Sequence, residues 1–195
     1  MIKIIRNKIW YYLNRYKYKN FGWGSMIISP LKINGKKNIS IGKGVTIQYK
    51  TWLAALPLPG AIESLLEIGD GCCIGHFNHI YATRKIVFGK KVLTADKVYI
   101  SDNLHGYDDI NIPILDQPVK QNKEVYIGDG SWLGENVCVL GSSIGKNCVI
   151  GANAVVTKNI PDYSVAVGNP AIIIKRFCLE TNCWKKTSAD GKFIN

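Results

Sequence analysis

Aliphatic residues recur at intervals of six along most of this chain, and that spacing constrains the fold more than any other feature. The repeated positions are Ile41, Ile47, Leu53; Ile68, Ile74, Ile80, Ile86, Val92, Val98; and Ile127, Leu133, Val139, with Ile144, Ile150 and Val156 after one shorter step. A helix face repeats every three or four residues and a half-buried strand every two. A period of six instead predicts a coil of short parallel strands, in which stacked turns share one core.

The remaining positions of each six-residue unit support the same coil. Counted from the aliphatic residue, the fourth position is Gly44, Gly71, Gly130, Asn136, Asn147 or Asn153. Glycine and asparagine tolerate the positive φ that a sharp corner requires. The fifth position is small or aliphatic, as in Val45, Cys72, Val137, Cys148 and Ala154, and is predicted to point inward.

The repeat is interrupted in three places. The proline-containing stretch 54–64 predicts a loop or a modified coil, and the frame slips by two residues near Ile86 and Phe88. The third interruption, 104–120, removes about one whole coil before Val125 restarts the pattern. Loops this long inside a compact fold are usually functional, so an extruded functional loop is predicted there.

The net charge of +11 is concentrated at one end of the chain. Eleven Lys and Arg residues precede Glu63, which is the first acidic residue. Residues 2–19 predict a basic amphipathic helix with Ile2, Ile5, Ile9, Leu13 and Tyr16 along one stripe. This helix either packs on the end of the coil or contacts an anionic surface, such as a cytoplasmic leaflet or a lipid-diphosphate substrate.

The same observations set the domain organisation. We expect a basic helix at 1–24, the coil at 25–177 and a tail without a recognisable motif at 178–195. Secretory signals, membrane spans and nucleic-acid modules are not recognisable in the sequence. Most of the six cysteines occupy positions of the repeat or lie side by side, which suits neither disulfides nor a zinc ribbon, although Cys178 and Cys183 could form a pair. We expect reduced thiols and a cytoplasmic location, with the inner membrane face as the alternative.

Two motifs identify a family resemblance. They are the upstream run ISDNLHGY and the downstream run IGDGSWLGENVCVLGSSIGKNCVIGANAVVTKNIPDYSVAVGNPAIIIKRF. Over residues 39–177 the chain resembles the hexapeptide-repeat acyltransferases, and most closely the sugar O-acetyltransferases of the galactoside, maltose and lipopolysaccharide-biosynthesis type. The resemblance implies a mainly β fold, a single-stranded left-handed parallel β-helix. It also implies a homotrimer with active sites between subunits, acetyl-CoA as donor and no metal.

Acetyl transfer from a thioester to a sugar hydroxyl requires a general base, and histidine suits that task near neutral pH. The sequence contains only His76, His79 and His105. The resemblance assigns the catalytic role to His105, at the start of the extruded loop. Direct transfer is expected, since no Ser or Cys lies in a recognisable nucleophile motif.

The acceptor is expected to be a sugar, a nucleotide-sugar or a glycan. Asn78 matches a position that faces the acceptor in the galactoside-type enzymes. Asp102 and Asn103 are expected either to orient the imidazole or contact the sugar, or to form a polar turn. Trp132 is expected to wall the site beside the thioester, or to lie at a subunit contact. His76 and His79 either line the acceptor site or occupy corners at the surface.

The donor contacts follow from the resemblance alone. In the galactoside-type enzymes, coenzyme A is bound at positions that match Glu135, Ala152, Thr157, Lys158 and Lys175, and Arg176 lies next to the last of these. Lys158 and Lys175, with Arg176 nearby, would meet phosphates, while a small residue at 152 would leave room for the pantetheine arm. The segment 140–145, LGSSIG, is one residue shorter than in typical relatives.

Three other functions compete with sugar O-acetylation. An N-acyltransferase of amino-sugar nucleotides would need the same base and donor groove. A non-catalytic scaffold in a glycan-assembly complex would bind coenzyme A without turnover. A γ-type carbonic anhydrase would bind zinc through three histidines, but the spacing of His76 and His79 does not match that family.

Overall fold

The computed structural model describes residues 9–58 and 61–194, and its architecture is a three-sided coil of parallel strands. Successive turns of the coil contribute strands to three sheets, which we call the first, second and third faces. Within a face, the strands of the coil are hydrogen-bonded in parallel to those of neighbouring turns, as β7 is to β4 and β10. The predicted coil of parallel strands is confirmed.

The strands of each face follow in hydrogen-bonded order. The first face contains β1 (Asn20–Phe21), β4 (Ile39–Ile41), β7 (Leu65–Ile68), β10 (Lys85–Phe88) and β15 (Val125–Ile127). The second face contains β2 (Met26–Ile27), β5 (Thr46–Ile47), β8 (Cys73–Ile74), β11 (Leu93–Thr94), β16 (Trp132–Leu133), β18 (Val149–Ile150), β20 (Ser164–Val167), β21 (Ile172–Cys178) and β22 (Cys183–Lys186). The third face contains β3 (Lys32–Asn34), β6 (Trp52–Ala55), β9 (His79–Ala82), β12 (Tyr99–Ser101), β17 (Cys138–Leu140) and β19 (Val155–Val156).

The core is the stack of aliphatic residues that the six-residue period identified. All fifteen repeated positions, from Ile41 to Val156, are no more than 2% exposed. They form one continuous cluster along the axis of the coil. Because a single turn buries its inward residues only against the turns on either side, the hydrophobic stabilisation is shared along the whole stack.

The corners between faces also agree with the sequence pattern. Positive φ angles occur at the six predicted Gly and Asn positions, for example 68° at Gly71 and 58° at Asn136. Positive φ also occurs at Phe77, Lys91 and Lys97, where the residue type gives no such signal. The stacking of turns holds these residues in a backbone region that L-amino acids otherwise disfavour.

The interruptions of the repeat are a loop, a longer corner and a hairpin. The described residues 56–58 and 61–64, between β6 and β7, form no strand or helix, and the longer corner at 83–84 accounts for the two-residue slip before Phe88. The extruded segment is closed at its base by an antiparallel ribbon of β13 (Asn103–His105) and β14 (Val119–Gln121). Short 3₁₀ turns occupy Lys36–Asn38 and Ile114–Asp116.

The two ends of the coil are covered by different elements. Residues 9–14 are helical, and Trp10 and Tyr11 pack against the core. Ile9, Leu13 and Tyr16 instead remain exposed, so the described part of the predicted stripe does not pack on the coil. The stripe's Ile2 and Ile5 lie outside the described residues. None of the helices in the described ranges has the length and apolar character needed to cross a bilayer.

The C-terminal tail, in which the sequence showed no motif, is ordered as a continuation of the second face. Strand β21 runs antiparallel to β20, and β22 runs antiparallel to β21. All six cysteines are free thiols, and Cys178 and Cys183 lie opposite each other in β21 and β22. This antiparallel extension covers the edge that the last parallel strand would otherwise expose.

Candidate active site

His105 lies at the base of the extruded hairpin, at the edge of the coil where the third face meets the first. It ends β13 and pairs with Val119 of β14, and its side chain is exposed. Residues two apart on a strand share a face of the ribbon, as do residues directly opposite each other. His105 therefore shares its face of the hairpin with Asn103, Val119 and Gln121.

Asp102 fixes the point where the hairpin leaves the coil. Its buried carboxylate accepts hydrogen bonds from the backbone N–H groups of Thr83, Arg84 and Lys85, at 2.7–2.8 Å, and from the Thr83 hydroxyl at 2.9 Å. These contacts use both carboxylate oxygens. Asp102 therefore organises the long corner of the preceding turn, and the alternative that it contacts the sugar is not supported.

Asn103 has a similar structural role. Its amide donates to the carbonyl of Tyr81 and to Asp102 Oδ1, both at 3.2 Å. Its backbone N–H donates to the hydroxyl of Ser101. The side chain thus ties the first residue of the hairpin to the third face, which agrees with the polar-turn interpretation.

The expectation that Asn78 faces the acceptor is wrong for this chain. The side chain is 1% exposed. Its amide donates to the carbonyls of Gly75 and Ala95 and to the Thr94 hydroxyl, and its oxygen accepts from the backbone N–H of Val98. Both ends of the amide are used inside the coil, so Asn78 is a buried corner residue.

The two other histidines lie away from the hairpin. His76 is at a corner between the second and third faces, where its Nδ1 lies 3.0 Å from Asp96 Oδ1 and its backbone N–H donates to the same oxygen. That backbone hydrogen bond lowers the pKa of Asp96. His79 lies on the outer side of the third face, stacked on Trp52 with ring centroids 4.1 Å apart. Burial lowers the pKa of His79.

A polar cleft of about 760 Å³ lies along the same edge as His105. Its walls are formed by corners of successive turns and by the loop before β7. They include the polar or charged Asn38, Ser64, Thr83, Arg84, Gln121 and Glu124 and the apolar Leu58, Ile62 and Leu65. Arg84 and Glu124 form an ion pair of 3.0 Å in this wall. Gln121 connects the two features, because it lines the cleft and shares the hairpin face of His105.

The sequence did not single out these cleft residues. Most of them lie in or next to the interruptions of the six-residue repeat, at 58–65, 83–85 and 121–124, whereas Asn38 belongs to a regular corner. The interruptions of the repeat were the feature of the sequence that could have located the cleft. A break in the repeat marks a corner that departs from the regular coil, and several such corners can form a concave wall.

The expected donor residues are distributed over two edges and one face. Glu135 and Ala152 occupy corners between the second and third faces, stacked one turn apart, with the Asn153 N–H donating to the Glu135 carbonyl. Thr157 and Lys158 lie at the edge between the third and first faces, after β19. Trp132 is exposed on the outer side of the second face, between Leu93 and Val149.

Lys175 and Arg176 differ in what they can bind. Lys175 lies on the outer side of β21, opposite Val165 and Lys186, and its ammonium is 5.4 Å from the ring of Trp184. Arg176 donates to the carbonyl of Gly191 at 3.2 Å and lies over the ring of Phe193. The expectation that Arg176 meets coenzyme phosphates is not supported, because its guanidinium holds the C-terminal tail.

The geometry of a three-sided coil separates His105 from most of these residues. The edge that carries the hairpin lies opposite the second face, where Trp132 and Lys175 are exposed. A single chain therefore does not bring His105 beside that face. A complete site with these residues would need the second face of another chain.

Metal ligands do not cluster in the part of the chain that the structure describes. Among residues 9–58 and 61–194, no three His, Cys, Asp or Glu side chains are grouped so as to hold an ion. His76 is paired with Asp96, and His79 stacks with Trp52.

Comparison with known proteins identifies the family. A family model described as bacterial transferase hexapeptide (six repeats) matches residues 124–158. The putative lipopolysaccharide biosynthesis O-acetyl transferase WbbJ of Escherichia coli K12 is 32% identical over 192 residues, covering 95% of this chain and 92% of WbbJ. The chain belongs to the hexapeptide-repeat transferases.

Other members and fold relatives of this transferase family extend the comparison. The probable acetyltransferase Rv3034c of Mycobacterium tuberculosis is 39% identical over 163 residues, which are 77% of this chain but only 53% of Rv3034c. AntD, an N-acyltransferase from Bacillus cereus in complex with dTDP and 3-hydroxybutyryl-CoA, superposes with a TM-score of 0.60. That match covers 87% of this chain and 89% of AntD at 19% identity, and it shows a common fold.

Proposed function

We propose that this chain is an acetyl-CoA-dependent O-acetyltransferase that modifies a sugar hydroxyl in surface polysaccharide or lipopolysaccharide biosynthesis. Similarity over nearly the whole chain to the putative lipopolysaccharide biosynthesis O-acetyl transferase WbbJ supports both the reaction and the substrate class. The observation that carries the proposal is the position of His105, exposed at the base of the hairpin and sharing a ribbon face with the cleft residue Gln121.

His105 acts as the general base in this mechanism. Its imidazole removes the proton of the sugar hydroxyl as the sugar oxygen attacks the thioester carbonyl carbon. The tetrahedral intermediate collapses as the carbon–sulfur bond breaks, and the imidazolium returns the proton to the thiolate. The products are the sugar acetate ester and free coenzyme A, and the base is regenerated without a covalent acyl-enzyme.

The polar cleft at the hairpin edge is the proposed acceptor site. Its lining combines neutral hydrogen-bonding side chains, charged side chains that include the Arg84–Glu124 ion pair, and the apolar Leu58, Ile62 and Leu65. This mixture suits a sugar ring, which presents hydroxyl groups at its edge and C–H groups on its faces. A cleft of about 760 Å³ is large enough for a saccharide of more than one residue. In this arrangement Gln121 lies between the bound sugar and His105.

The assembly is proposed to be a trimer of left-handed coils with active sites between chains. This proposal is supported by columns of uncharged side chains along the outer sides of two faces. The third face carries the column Trp52, His79, Tyr99, Cys138, Val155. The second face carries Cys73, Leu93, Trp132, Val149, Val165. Outer columns of this kind suit burial against another subunit. A neighbouring second face would then bring Trp132 and Lys175 to His105.

Peripheral contact with the cytoplasmic membrane face is proposed for the N-terminal segment. Ile9, Tyr12, Leu13 and Tyr16 are more than half exposed and have the spacing of one helix face. Basic residues follow on the same segment, and the first acidic residue of the chain is Glu63. An apolar, tyrosine-containing face next to Lys and Arg suits an anionic lipid surface.

Acceptor screening tests the proposed function. Thiol release from acetyl-CoA is measured with a panel of free sugars, nucleotide-sugars and lipid-linked saccharides, and the product is analysed for ester or amide. An acetyl ester supports the proposal. An amide on an amino-sugar nucleotide would instead establish the N-acyltransferase alternative, which AntD exemplifies on the same fold. Coenzyme A binding with no turnover on any acceptor would favour a scaffold.

A further inference from the structure

The N-terminal end of the coil carries four lysines whose charges are not compensated by acidic side chains. Lys17 and Lys19 lie between the helical residues and β1, and Lys36 and Lys37 lie in the 3₁₀ turn of the following coil turn. In the part of the chain that the structure describes, none of the four forms an ion pair with an Asp or Glu. The first acidic residue of the sequence is Glu63. We call these four residues the lysine group.

Contacts between two segments hold the lysine group together. The Lys19 backbone N–H donates to the Lys36 carbonyl at 3.3 Å. The Lys37 ammonium donates to the Tyr16 carbonyl at 2.9 Å, and the Lys36 ammonium lies 5.9 Å from the centroid of the Tyr18 ring. Lysine ammonium groups bind phosphates as point charges. Several of them in one place therefore suit a ligand with more than one negative charge, such as a diphosphate.

The lysine group lies at one end of the polar cleft. Lys19 lines the cleft, and so does Asn38, the last residue of the 3₁₀ turn. Lys19 directly precedes β1, whereas Gln121 lines the cleft shortly before β15. Strands β1 and β15 are four strand spacings apart in the first face, which is about 19 Å. A ligand whose anionic group lies at Lys19 must therefore extend along the cleft to reach the hairpin of His105.

The charges of the cleft balance beyond the lysine group. Arg84 and Glu124 form the ion pair of 3.0 Å, and Lys85 and Glu63 contribute one charge of each sign to the lining. The excess positive charge is therefore at the Lys19 end. A ligand with one anionic end and one neutral end is oriented by this difference, with its anionic end at the lysine group.

The exposed helix face adjoins the lysine group on the side away from the cleft. Leu13 and Tyr16 are exposed, and the Tyr16 carbonyl is the group to which Lys37 donates. Apolar side chains, cations and a polar cleft thus follow one another along this end of the molecule. The same order, an apolar chain, an anionic group and a polar saccharide, occurs in a lipid that carries a sugar through a diphosphate.

We propose that the acceptor is a saccharide linked through a diphosphate to a membrane lipid, an inference that rests on the proposed function. The lysine group binds the diphosphate, the saccharide lies along the cleft, and the lipid chain meets the exposed helix face and the bilayer. Because the cleft is about 19 Å long, the sugar that reaches His105 is not the one attached to the diphosphate. Acetylation then follows at least one glycosyl transfer to the lipid-linked sugar.

Turnover of one saccharide presented in three forms tests this proposal. A disaccharide is supplied free, linked to uridine diphosphate and linked to decyl diphosphate, and thiol release from acetyl-CoA is measured with the full chain. The decyl diphosphate form should have a kcat/KM at least about tenfold above that of the free form. A decyl diphosphate monosaccharide should be a poor acceptor, because its sugar does not span the cleft.

Variants of the lysine group show where the diphosphate binds. Lys19→Gln and Lys36→Gln should each reduce the advantage of the decyl diphosphate form over the free form by about fivefold, the effect of one lysine on an anionic group. Lys90→Gln, which removes an exposed lysine from another corner, should retain the advantage. Equal kcat/KM for all forms, a preference for the uridine diphosphate form, or an advantage that both variants keep would overturn the proposal.

Calorimetric titration with decyl diphosphate, below its micelle-forming concentration, separates this proposal from the proposed function. The wild type should bind decyl diphosphate more tightly than decyl phosphate, and Lys19→Gln should weaken that binding by about fivefold. Acetylation of free saccharides by a protein that does not bind decyl diphosphate would overturn this proposal alone. Binding of decyl diphosphate without acetylation of any acceptor would overturn the proposed function.

Discussion

Buried polar residues in this coil mostly serve the backbone of the adjacent turn. The Asp102 carboxylate accepts hydrogen bonds from three backbone N–H groups of a corner. The Ser131 hydroxyl donates a hydrogen bond to the Gly145 carbonyl and accepts one from the Cys148 N–H. Such contacts satisfy corner groups that have no partner in a sheet. A polar side chain close to His105 in the sequence can therefore serve the backbone and need not contact a substrate.

Asn78 provides a test of this structural role. Asn78→Ala leaves the Val98 N–H and two carbonyls without their partner inside the coil, and should lower the free energy of unfolding by about 2–3 kcal/mol. That loss corresponds to a fall in Tm of roughly 5–10 °C for a chain of this size. Thermal unfolding measures it, with the exposed Asn111→Ala as control. An unchanged Tm combined with a raised KM for the acceptor would restore the ligand role.

His79 should make the stability of the protein depend on pH. Burial lowers the pKa of His79, and its Nε2 has no hydrogen-bond partner among the described residues. As the pH falls below the unfolded value of about 6.5, the unfolded chain binds a proton that the folded chain does not bind. The folded state should therefore lose stability as the pH falls, until the pH passes the lowered folded pKa.

Thermal unfolding between pH 7.5 and 5 measures the contribution of His79, with the pH values chosen to bracket about 6.5. The decline in Tm should be shallower in His79→Phe, which keeps a ring against Trp52 but cannot be protonated. Identical slopes for the two proteins would contradict the prediction. A wild-type Tm that rises toward pH 5 would mean that the Trp52 ring stabilises the imidazolium.

At the scale of elements, the interruptions of the coil position the site. The corner at 83–84 and the hairpin base meet at Asp102, and the polar cleft lies beside them. The regular strands could be predicted from the sequence because each inward position repeats a single requirement, an aliphatic side chain of limited size. Ile80 and Leu133 illustrate this, since both are fully buried.

The elements at the ends could not be predicted in the same way. Strand β22 is determined by its pairing with β21, a tertiary contact that leaves no period in the sequence. The helix at residues 9–14 was predicted from the sequence, but the side of it that packs on the coil was not. Trp10 and Tyr11 face the coil because Tyr11 meets the ring of Trp23 at 5.3 Å, a contact specific to this end.

The exposed helix face predicts binding to anionic vesicles. Leu13 and Tyr16 are 62% and 72% exposed, and burial of such side chains in the lipid interface is worth enough to change affinity about tenfold. In co-sedimentation with phosphatidylglycerol–phosphatidylcholine vesicles, the wild type should bind at low salt, and the Leu13→Ser/Tyr16→Ser double variant should bind about tenfold more weakly.

The matched control for the vesicle experiment is Ile110→Ser/Leu115→Ser, which alters two exposed apolar residues of the extruded loop. It should bind vesicles like the wild type. Equal binding of wild type to pure phosphatidylcholine vesicles, or no effect of the helix variant, would contradict membrane contact. A change of oligomeric state in the helix variant would identify the surface as a subunit contact.

At the scale of the whole molecule, three faces impose a separation of roles. The hairpin edge carries the proposed base and acceptor cleft, and the opposite second face carries Trp132 and Lys175. The family resemblance predicted donor positions one residue at a time, and these contacts stay predictions. Which of them a single chain can bring to His105 became apparent only from the arrangement of the faces.

The role of His105 is the central claim, and one comparison of turnover with donor binding tests it most directly. For His105→Ala, kcat is measured by thiol release from acetyl-CoA with the best acceptor of the panel, and the Kd for coenzyme A is measured on the same preparation. Loss of a general base predicts a fall in kcat of about 10²- to 10⁴-fold with an unchanged Kd. Turnover within about tenfold of the wild type would contradict the account.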